Sequence, residues 1–367
     1  MLNTKSVSIG ILLVLMVSAC AFNDRFSPDI TSRIAVAANH NGSKFVNDEP
    51  TQTPTIGNFL RIFALMATKD RSRSVPGQAL PVSYINAETL QALSNDELHI
   101  VKLGHSSVLL KVFGEYWLID PVFADRVSPV SFAGPRRFHP VPIPVDELPP
   151  IDRVLISHNH YDHLDKYTIE VLAPKSRQFL VPLGVEVYLE EWGVPAEAIS
   201  SFQWWQEQIT GNTMVAFTPS KHFSSRSFND RDKTLWGSWV VAIGNRRLFF
   251  SGDTGYFDGL KTIGEQYGPF DMTFIETGAY AKEWPDVHLF PEQSVQAHLD
   301  LKGITMIPIH NGTFDLSFHP WEEPLERVTQ EAQKRNVEIT TPIVGEIFTV
   351  DEPPAFNAWW RSVLADS

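Results

Sequence analysis

The pattern of apolar and polar positions from Leu98 onward predicts a layered α/β domain. Apolar runs of strand length come first in closely spaced pairs and are then separated by segments with helical spacing, and this order occurs in both halves of the chain. Close pairs indicate antiparallel hairpins, whereas strands separated by helices indicate parallel pairing. The pattern predicts mixed sheets covered by helices, in one domain over 96–350. The predicted strands include LHIVKL, SSVLLKVF, YWLID, DRVLIS, QFLVP, DMTFIE, ITMIPIH and two strands around Gly244-Asn245, and the predicted helices include KYTIEVLA, VEVYLEEW and a closing helix near Pro324 to Lys334.

The segment before this domain, residues 20–95, is predicted to be a tether and arm. Residues 21–55 are rich in Asn, Asp, Ser, Thr and Pro and show little periodicity. The next stretch has apolar residues at helical spacing followed by basic ones, which predicts an amphipathic helix: Ile56, Phe59, Leu60, Phe63 and Met66, then Lys69, Arg71 and Arg73. Two interpretations stay open, a helix docked on the core and a membrane-surface helix facing lipid phosphates. Residues 351–367 are predicted to be a C-terminal tail.

Residues 1–19 predict a secretory signal. Lys5 precedes an apolar stretch from Ile9 to Val17, and small residues lead to Cys20. The ending V-S-A-C resembles the bacterial lipoprotein box, in which the cysteine is lipidated, and Ala21 resembles the outer-membrane sorting pattern. The expectation is a lipid-anchored envelope protein, in the outer membrane and facing the periplasm; an ordinary secretory peptide with a chance cysteine is the alternative. The chain has 1 cysteine, which excludes internal disulfides.

Net charge bears on partners. The chain of 367 residues carries 30 Lys and Arg against 43 Asp and Glu, a formal charge of -13. Phosphate backbones need clustered basic residues, so general nucleic-acid binding is not expected. Hydrophobic residues make up 43%, an ordinary globular fraction.

One short stretch, S-H-N-H-Y-D-H-L-D, follows the predicted strand DRVLIS and indicates a metal site. His158, His160, Asp162 and His163 form the pattern H-x-H-x-D-H. A tight loop cannot satisfy three imidazoles and a carboxylate by apolar packing, and the imidazoles would repel one another if protonated. A divalent cation resolves both problems, because neutral imidazole and carboxylate suit zinc, manganese or iron.

Three more candidate ligands follow later strand-like runs. His222 comes after MVAFTP, Asp253 after LFF, and His310 after ITMIPI. Each is a metal-ligating residue type at a strand end, where a rigid backbone fixes its direction.

Other polar residues are weaker candidates. His105 and Asp120 also follow strand-like runs and are predicted to orient ligands through hydrogen bonds. His288 and His319 are candidates for contact with substrate, with an ordinary packed or surface histidine as the equal alternative. Four tryptophans are predicted either to wall an acyl pocket or to belong to the core: Trp204, Trp205, Trp236 and Trp239.

The strand-H-x-H-x-D-H motif followed by His, Asp and His resembles the metallo-β-lactamase superfamily. The stretches PPIDRVLISHNHYDHLD, KTLWGSW, FFSGDTGYF, GPFD and HNGTF, with GHSSVLL, IDPVF and GPRRF upstream, resemble the N-acyl-phosphatidylethanolamine-hydrolysing phospholipase D family. The resemblance covers roughly residues 45–345. It implies an αββα sandwich of two mixed sheets flanked by helices.

The resemblance also implies a two-metal site, expected to hold zinc. One metal would be bound by His158, His160 and His222, and the second by Asp162, His163 and His310, with Asp253 bridging. The implied reaction is attack of a metal-bridging hydroxide on the phosphodiester of N-acyl-phosphatidylethanolamine, giving phosphatidic acid and an N-acylethanolamine. Asp162 or Asp253 would also assist proton transfer, with metal binding as the first role of both. The implied partners are a phospholipid and a membrane surface, whereas the oligomeric state stays open.

The sequence departs from the family at E-T-G-A-Y, where members often carry I-G-A-Y. Glu276 therefore stands near the expected pocket, either as a harmless outward residue or as one that alters substrate choice. Bacterial relatives include phosphorylated-lactone hydrolases, so a lactonase or other small-metabolite hydrolase is the alternative function. A non-catalytic envelope lipoprotein is a third hypothesis, disfavoured by the presence of all seven candidate ligands.

Overall fold

The computed structural model describes residues 22–52, 57, 61–62, 64–65, 68–227 and 229–365. Fourteen strands and eight α-helices have their bounds within these residues. The strands are β1 (Leu98–Gly104), β2 (Ser107–Val112), β3 (Glu115–Ile119), β4 (Ile151–Leu155), β5 (Ser176–Pro182), β6 (Ile199–Phe202), β7 (Gln206–Thr210), β8 (Thr213–Thr218), β9 (Ser238–Ile243), β10 (Arg246–Phe250), β11 (Phe270–Glu276), β12 (Gly303–Ile309), β13 (Glu338–Ile339) and β14 (Ile347–Thr349). The helices are α1 (Pro28–Ala35), α2 (Ala87–Ala92), α3 (Lys166–Leu172), α4 (Glu186–Glu191), α5 (Gly259–Tyr267), α6 (Pro291–Asp300), α7 (Glu323–Lys334) and α8 (Trp359–Ala365).

The strands form two seven-stranded mixed sheets, in the orders β14-β1-β2-β3-β4-β5-β6 and β13-β12-β11-β10-β9-β8-β7. In the first sheet β1, β2 and β3 pair antiparallel, and β3 to β6 pair parallel. The second sheet repeats this order, with β7 to β10 antiparallel and β10 to β13 parallel. The predicted αββα sandwich is confirmed, including the order of hairpins before parallel strands in each half.

Side chains alternate between the two faces of the second sheet, and this divides the core into two layers. Phe250 and Trp239 face the first sheet and join the main core between the sheets. Phe249 and Val240, one position away in each strand, face the other side and pack with residues of α5, α6 and α7. Side chains one residue apart in a strand point to opposite faces, so both faces of this sheet must be apolar. Burying one such side chain contributes about 1.5–3 kcal/mol.

The sheet directions bring several strand ends to one edge. Parallel β3 and β4 end together, as do parallel β10, β11 and β12. Strand β8 runs in the same direction as β10, because both pair antiparallel with β9. The residues that follow these strands therefore meet at one side of the sandwich.

The described part of the arm is packed on the domain, so of the two forms predicted for residues 21–55, a tether or an extended arm, the described residues have the character of an arm. Ile30 and Ile34 of α1 and the nearby Phe45 are buried in the main core. The Arg33 guanidinium donates to the Ser201 hydroxyl at 2.7 Å. The physical reason is that apolar side chains of this stretch insert into the core and attach it, with Phe22 and Ala37 buried there as well.

Only residues 57, 61–62, 64–65 and 68 of the predicted amphipathic helix are described, and these are helical. Its apolar residues Ile56, Phe59, Leu60, Phe63 and Met66 lie outside the described residues, as do the signal segment and Cys20. At its basic end, Arg71 and Arg73 pair with Asp315 and Glu322 of the domain. This contact is the one expected of a docked helix. Within the described residues, no helix combines the length and apolar character needed to cross a bilayer.

The C-terminal segment, predicted to be a tail, contains the packed helix α8. Trp360 of α8 is fully buried with Leu80 and Leu325. The Trp360 indole donates to Glu326 at 3.0 Å, and Arg361 pairs with the same carboxylate.

Candidate metal centre

The loop between β4 and α3 is held in one shape by its own hydrogen bonds. The Leu164 main-chain N–H donates to the His160 carbonyl at 2.8 Å, and Asp165 caps the first turn of α3. The Arg226 guanidinium donates to the carbonyls of Asn159 at 2.7 Å and Leu164 at 2.6 Å. The histidines of this loop are therefore presented from a fixed backbone.

One group of potential ligands joins this loop to two later strand ends. His158 Nε2 lies 2.9 Å from His160 Nδ1, which lies 3.2 Å from His222 Nε2. Asp253 Oδ2 is 3.8 Å from His158 Nε2 and 3.7 Å from His222 Nε2. These four atoms could hold one metal ion.

A second group shares Asp253 with the first. Asp253 Oδ1 lies 3.1 Å from His163 Nε2 and 3.2 Å from His310 Nε2. Asp162 Oδ2 lies 3.2 Å from His310 Nε2 and 3.6 Å from His163 Nε2. The two oxygens of Asp253 thus face different groups. All seven ligands predicted from the sequence lie together in this arrangement.

The donor atoms fit divalent metal ions. Ligands at about 2.0–2.2 Å in a tetrahedral zinc site stand roughly 3.3–3.6 Å apart, which is close to the separations in both groups. His163 Nε2 and Asp253 Oδ1 are buried and, although 3.1 Å apart, form no well-oriented hydrogen bond with each other or with another described residue. Buried polar atoms are costly without a partner, and a shared metal supplies one.

The histidines of the first group are held neutral. Burial, together with nearby histidines, keeps the pKa of His158 well below its usual range. Burial keeps the pKa of His222 well below its usual range and lowers the pKa of His160 to about 4. The unprotonated form is the one that binds a metal, so these side chains are ready to coordinate near pH 7.

The second group has the opposite electrostatics. Burial opposes charge on His163 and His310, but Asp253 and Asp162 raise the pKa of both, that of His310 to about 10. Although burial opposes charge on them too, His163 above all holds the pKa of both Asp253 and Asp162 well below the usual range. A cation bound here replaces protons as the counter-charge of the carboxylates, so metal binding releases protons.

Asp120 is linked to candidate ligands of both groups, to His163 directly and to His158 through Ser157. Its Oδ2 lies 2.7 Å from His163 Nδ1 and accepts from the Ser157 hydroxyl at 2.5 Å. Its Oδ1 accepts from the Ser157 main-chain N–H at 2.7 Å, and the Ser157 hydroxyl lies 2.9 Å from His158 Nδ1. A hydrogen bond to Nδ1 fixes the ring and leaves Nε2 for the metal.

His105 braces the second group from the other side. Its Nε2 lies 3.1 Å from Asp162 Oδ2, and its carbonyl accepts from the His310 main-chain N–H at 3.2 Å. Burial lowers the pKa of His105 to about 3, so the ring is neutral. The Thr313 hydroxyl accepts from the His105 main-chain N–H at 2.6 Å.

Several backbones at this edge adopt the left-handed region. The φ angles are 43° at Asp120, 51° at His105 and 63° at His310, a conformation that side chains rarely adopt and that clusters at functional sites. Gly252 has a φ of 55°, and a Cβ there would lie 2.7 Å from Ser157 Cβ. The glycine therefore lets the strand end of Asp253 approach the loop of His158.

Glu276 is fully buried, so the interpretation of it as an outward residue is wrong. Its Oε2 accepts from the Thr254 main-chain N–H at 2.7 Å, and its Oε1 pairs closely with His288 Nδ1. Burial raises the pKa of Glu276. Burial opposes charge on His288, but Glu276 raises the pKa of that histidine. His288 Nδ1 lies 3.9 Å from Asp253 Oδ2, so the pair borders the first group.

His319 is not a member of any ligand cluster found within the described residues. Its ring stacks on Tyr280 with centroids 4.4 Å apart, and its Nδ1 lies 2.9 Å from the Pro320 carbonyl. Burial lowers its pKa. The structure therefore places it beside the site as a packed residue.

A cavity of about 510 Å³ opens beside His222 and His288. Aromatic and aliphatic side chains from the domain and the arm line much of it: Phe45, Val46, Ile62, Phe223, Trp236, Trp284, Val287 and Leu316. Charged side chains, including Lys44, Arg231 and Asp286, also contribute to its wall. Ligand pockets typically have volumes of about 300–1,000 Å³. The contribution of the arm to this wall was missed, because isolated apolar residues in a polar stretch give no periodic signal.

One tryptophan fits both predicted roles, two fit the core, and the fourth is exposed. Trp236 lines the cavity, whereas Trp239 lies in the main core and donates to the Ile156 carbonyl at 3.0 Å. Trp204 packs at the edge of the core, and Trp205 is 37% exposed.

Comparison with known proteins supports the same fold. Residues 116–311 match the family model described as beta-lactamase superfamily domain. An uncharacterized protein of Mycobacterium tuberculosis is 39% identical over 328 residues, which cover 88% of this chain and 87% of that protein.

The N-acyl-phosphatidylethanolamine-hydrolyzing phospholipase D 1 of Caenorhabditis elegans is 31% identical over 314 residues, 79% of this chain and 88% of that protein. Among solved structures, the metallo hydrolase Igni18 of Ignicoccus hospitalis superposes with a TM-score of 0.53 at 20% identity, covering 69% of this chain and 97% of that one. The similarity to Igni18 concerns the fold alone.

Proposed function

Because the chain belongs to the metallo-β-lactamase superfamily and is a hydrolase of that fold, we propose that it is a two-metal phosphodiesterase acting on N-acyl-phosphatidylethanolamine-type phospholipids. Its products are phosphatidic acid and an N-acylethanolamine. Water cleaves the bond between phosphorus and the oxygen of the N-acylethanolamine. The hydroxyl group of water stays on phosphorus, and its proton goes to the oxygen that leaves.

The observation that carries this proposal is the position of Asp253. Its carboxylate faces two ligand groups, with Oδ2 toward His158 and His222 and Oδ1 toward His163 and His310. Seven neutral or anionic N and O donors in two adjoining groups suit two divalent cations, and the absence of thiolate ligands leaves zinc, manganese and iron as candidates. We assign zinc as the expected metal.

When bound, two adjacent cations lower the pKa of a water molecule and stabilise negative charge on phosphoryl oxygens. The side chains of this chain hold and orient them. Asp120 and Ser157 set the rings of His163 and His158, and His105 fixes Asp162. Asp162 and Asp253 border the reacting centre, so either carboxylate is positioned to accept a proton from water.

His288 is assigned to contact with substrate. It lines the cavity beside the first ligand group, and the buried Glu276 holds its Nδ1 side. With that nitrogen occupied, Nε2 is the atom available to a phosphate oxygen or to the leaving oxygen. His319, which packs on Tyr280, is left out of this assignment.

The lipid substrate is supported by the apolar wall of the cavity. Phe223, Trp236 and Trp284 beside His222 suit a hydrocarbon chain better than a small polar metabolite. A lactonase activity of the same centre is the competing outcome, and a non-catalytic envelope role is the other.

The proposed location is the cell envelope, with Cys20 lipidated and the domain facing the periplasm from the outer membrane. Such an anchor would bring the cavity to a phospholipid surface. Metabolic labelling with a palmitate analogue tests the lipidation of Cys20, with Cys20→Ser as the control. The expected result is label on the wild type and none on the variant.

The experiment that tests the function is a substrate panel on purified, zinc-loaded protein. It contains N-acyl-phosphatidylethanolamine, plain phosphatidylethanolamine and a phosphorylated lactone, with released phosphatidic acid and opened lactone quantified. We expect phosphatidic acid from the N-acylated lipid. Full turnover of the lactone with no cleavage of either lipid would exclude the proposal.

A further inference from the structure

One asparagine of the N-terminal arm is bonded to the main chain of a metal ligand in both directions. Asn47 Nδ2 donates to the His222 carbonyl at 2.8 Å, and Asn47 Oδ1 accepts from the His222 N–H at 3.1 Å. The same oxygen accepts from the indole of Trp236 at 3.0 Å. The side-chain amide of Asn47 therefore acts like a neighbouring strand for this single residue.

His222 needs such a partner because it follows β8 in a segment without regular secondary structure. Its side chain is fixed by a contact of 2.8 Å between Nδ1 and the Val287 carbonyl. Buried backbone N–H and carbonyl groups must be paired, and Asn47 pairs both of them at this residue. The direction of the imidazole then depends on the arm as well as on the sheet.

The arm is anchored on either side of Asn47. On one side, the Phe45 main-chain N–H donates to the Asp232 carbonyl at 2.9 Å, and Phe45 as a whole is 1% exposed. On the other, Glu49 bonds to Lys221 at 3.1 Å and accepts from the Asp258 main-chain N–H at 2.7 Å. These contacts fix the position of the amide.

A further contact joins the arm to the loop of His288. The Gln52 main-chain N–H donates to the Asp286 carboxylate at 2.8 Å. Residues 44–52, which we call the strap, therefore connect the segment that carries His222 with the loop that carries His288, and they also line the cavity between them.

We propose that the strap is part of the metal centre, with Asn47 as the positioning residue that holds His222 in its ligating orientation. The proposal rests on the metal assignment made under the proposed function. It goes beyond that assignment because it places a determinant of metal affinity in the arm, outside the metallo-β-lactamase domain. Groups that orient a ligand typically contribute 10- to 100-fold in metal affinity.

The test compares metal retention in the full chain with that of two Asn47 variants. Zinc-loaded proteins are dialysed against graded EDTA, and bound zinc per chain is measured by elemental analysis. For Asn47→Ala we expect one zinc to be lost at about 10- to 100-fold lower EDTA than in the wild type, with the other retained. Asn47→Asp keeps the volume but sets an oxygen against the His222 carbonyl, so it is expected to behave in the same way.

Asn41→Ala is the matched control, because the Asn41 side chain accepts from main-chain N–H groups of its own exposed turn, those of Ser43 and Lys44. It should retain both zinc ions as the wild type does, and near-UV circular dichroism should show all variants folded. A folded Asn47 variant with a wild-type EDTA profile would overturn the proposal. So would unfolding of both Asn47 variants under conditions in which zinc-stripped wild type stays folded, since Asn47 would then hold the fold. A wild-type protein that binds no zinc would instead refute the metal assignment itself.

Discussion

Replacing Asp120 with asparagine should weaken the second ligand group through a change of tautomer at His163. The buried carboxylate accepts from the Ser157 N–H and hydroxyl and faces His163 Nδ1 at 2.7 Å. An asparagine has a single acceptor oxygen. If that oxygen continues to accept from the Ser157 main-chain N–H, the amide NH₂ of the asparagine faces His163 Nδ1. His163 Nδ1 must then accept a hydrogen bond from this NH₂. The ring proton moves to Nε2, the atom that points to Asp253.

The magnitude follows from the number of groups disturbed. Orienting partners of metal ligands contribute about 10- to 100-fold in affinity, which is about 1.4–2.8 kcal/mol. The Ser157 hydroxyl also loses the Asp120 carboxylate as its acceptor, and the loss of a buried hydrogen bond to a charged group costs roughly 1.5–3 kcal/mol of folding free energy. Asp120→Asn should therefore release one zinc at about 10- to 100-fold lower EDTA, with a lower free energy of unfolding even in the zinc-free protein.

The assay is EDTA competition with elemental analysis, together with urea unfolding of the zinc-free proteins. Asp96→Asn is the control, since Asp96 is exposed and far along the chain from the ligands. If Asp120→Asn retains zinc and resists urea as the wild type does, the proposed role of Asp120 as an orienting residue is wrong.

Three further changes test separate parts of the structure. Gly252→Ala should lower the free energy of unfolding of the zinc-free protein by at least about 1 kcal/mol, because the left-handed φ and the Ser157 contact both oppose a Cβ; a urea midpoint equal to that of the wild type would contradict this. Glu276→Gln should lower kcat for the lipid about 10- to 100-fold while both zinc ions stay bound, since Glu276 orients His288 without joining the two main ligand groups; unchanged kcat would remove His288 from the reaction. Burial raises the pKa of Glu186 to about 7 from 4.5. Between these two pH values the folded state holds a proton that the unfolded state has released. The free energy of unfolding should therefore fall by up to about 3 kcal/mol as pH rises from about 4.5 to 7. Glu186→Gln should flatten this decline in urea titrations from pH 4.5 to 8, and an unchanged slope would show that Glu186 does not cause it.

The strands and the positions of the candidate ligands could be predicted because each leaves a local signal. A strand such as β4 appears as a short apolar run, and the residues after it appear as the cluster His158 to His163. Strand ends of parallel sheets meet at one edge, so His310 could be assigned to the same centre without knowing any distance.

The partners of the ligands could be predicted only in part. Asp120 follows a strand and could be nominated, but the pairing of Glu276 with His288 depends on how β11 and the loop before α6 approach each other. Asn47 gave no signal at all, because a single asparagine in a polar segment has no periodicity and its partner His222 is 175 residues away. The buried Trp360 shows the same limit, since a short terminal helix is recognised only by the surface that covers it.

The most direct test of the two-metal phosphodiesterase is titration of zinc into the metal-stripped protein while release of phosphatidic acid from N-acyl-phosphatidylethanolamine is measured. The arrangement of Asp253 between His158 and His222 on one side and His163 and His310 on the other predicts that activity is absent without zinc and saturates at about two equivalents per chain. Asp253→Ala should stay inactive throughout the titration. Full activity in the stripped protein, saturation at one equivalent, or an active Asp253→Ala variant would contradict the account.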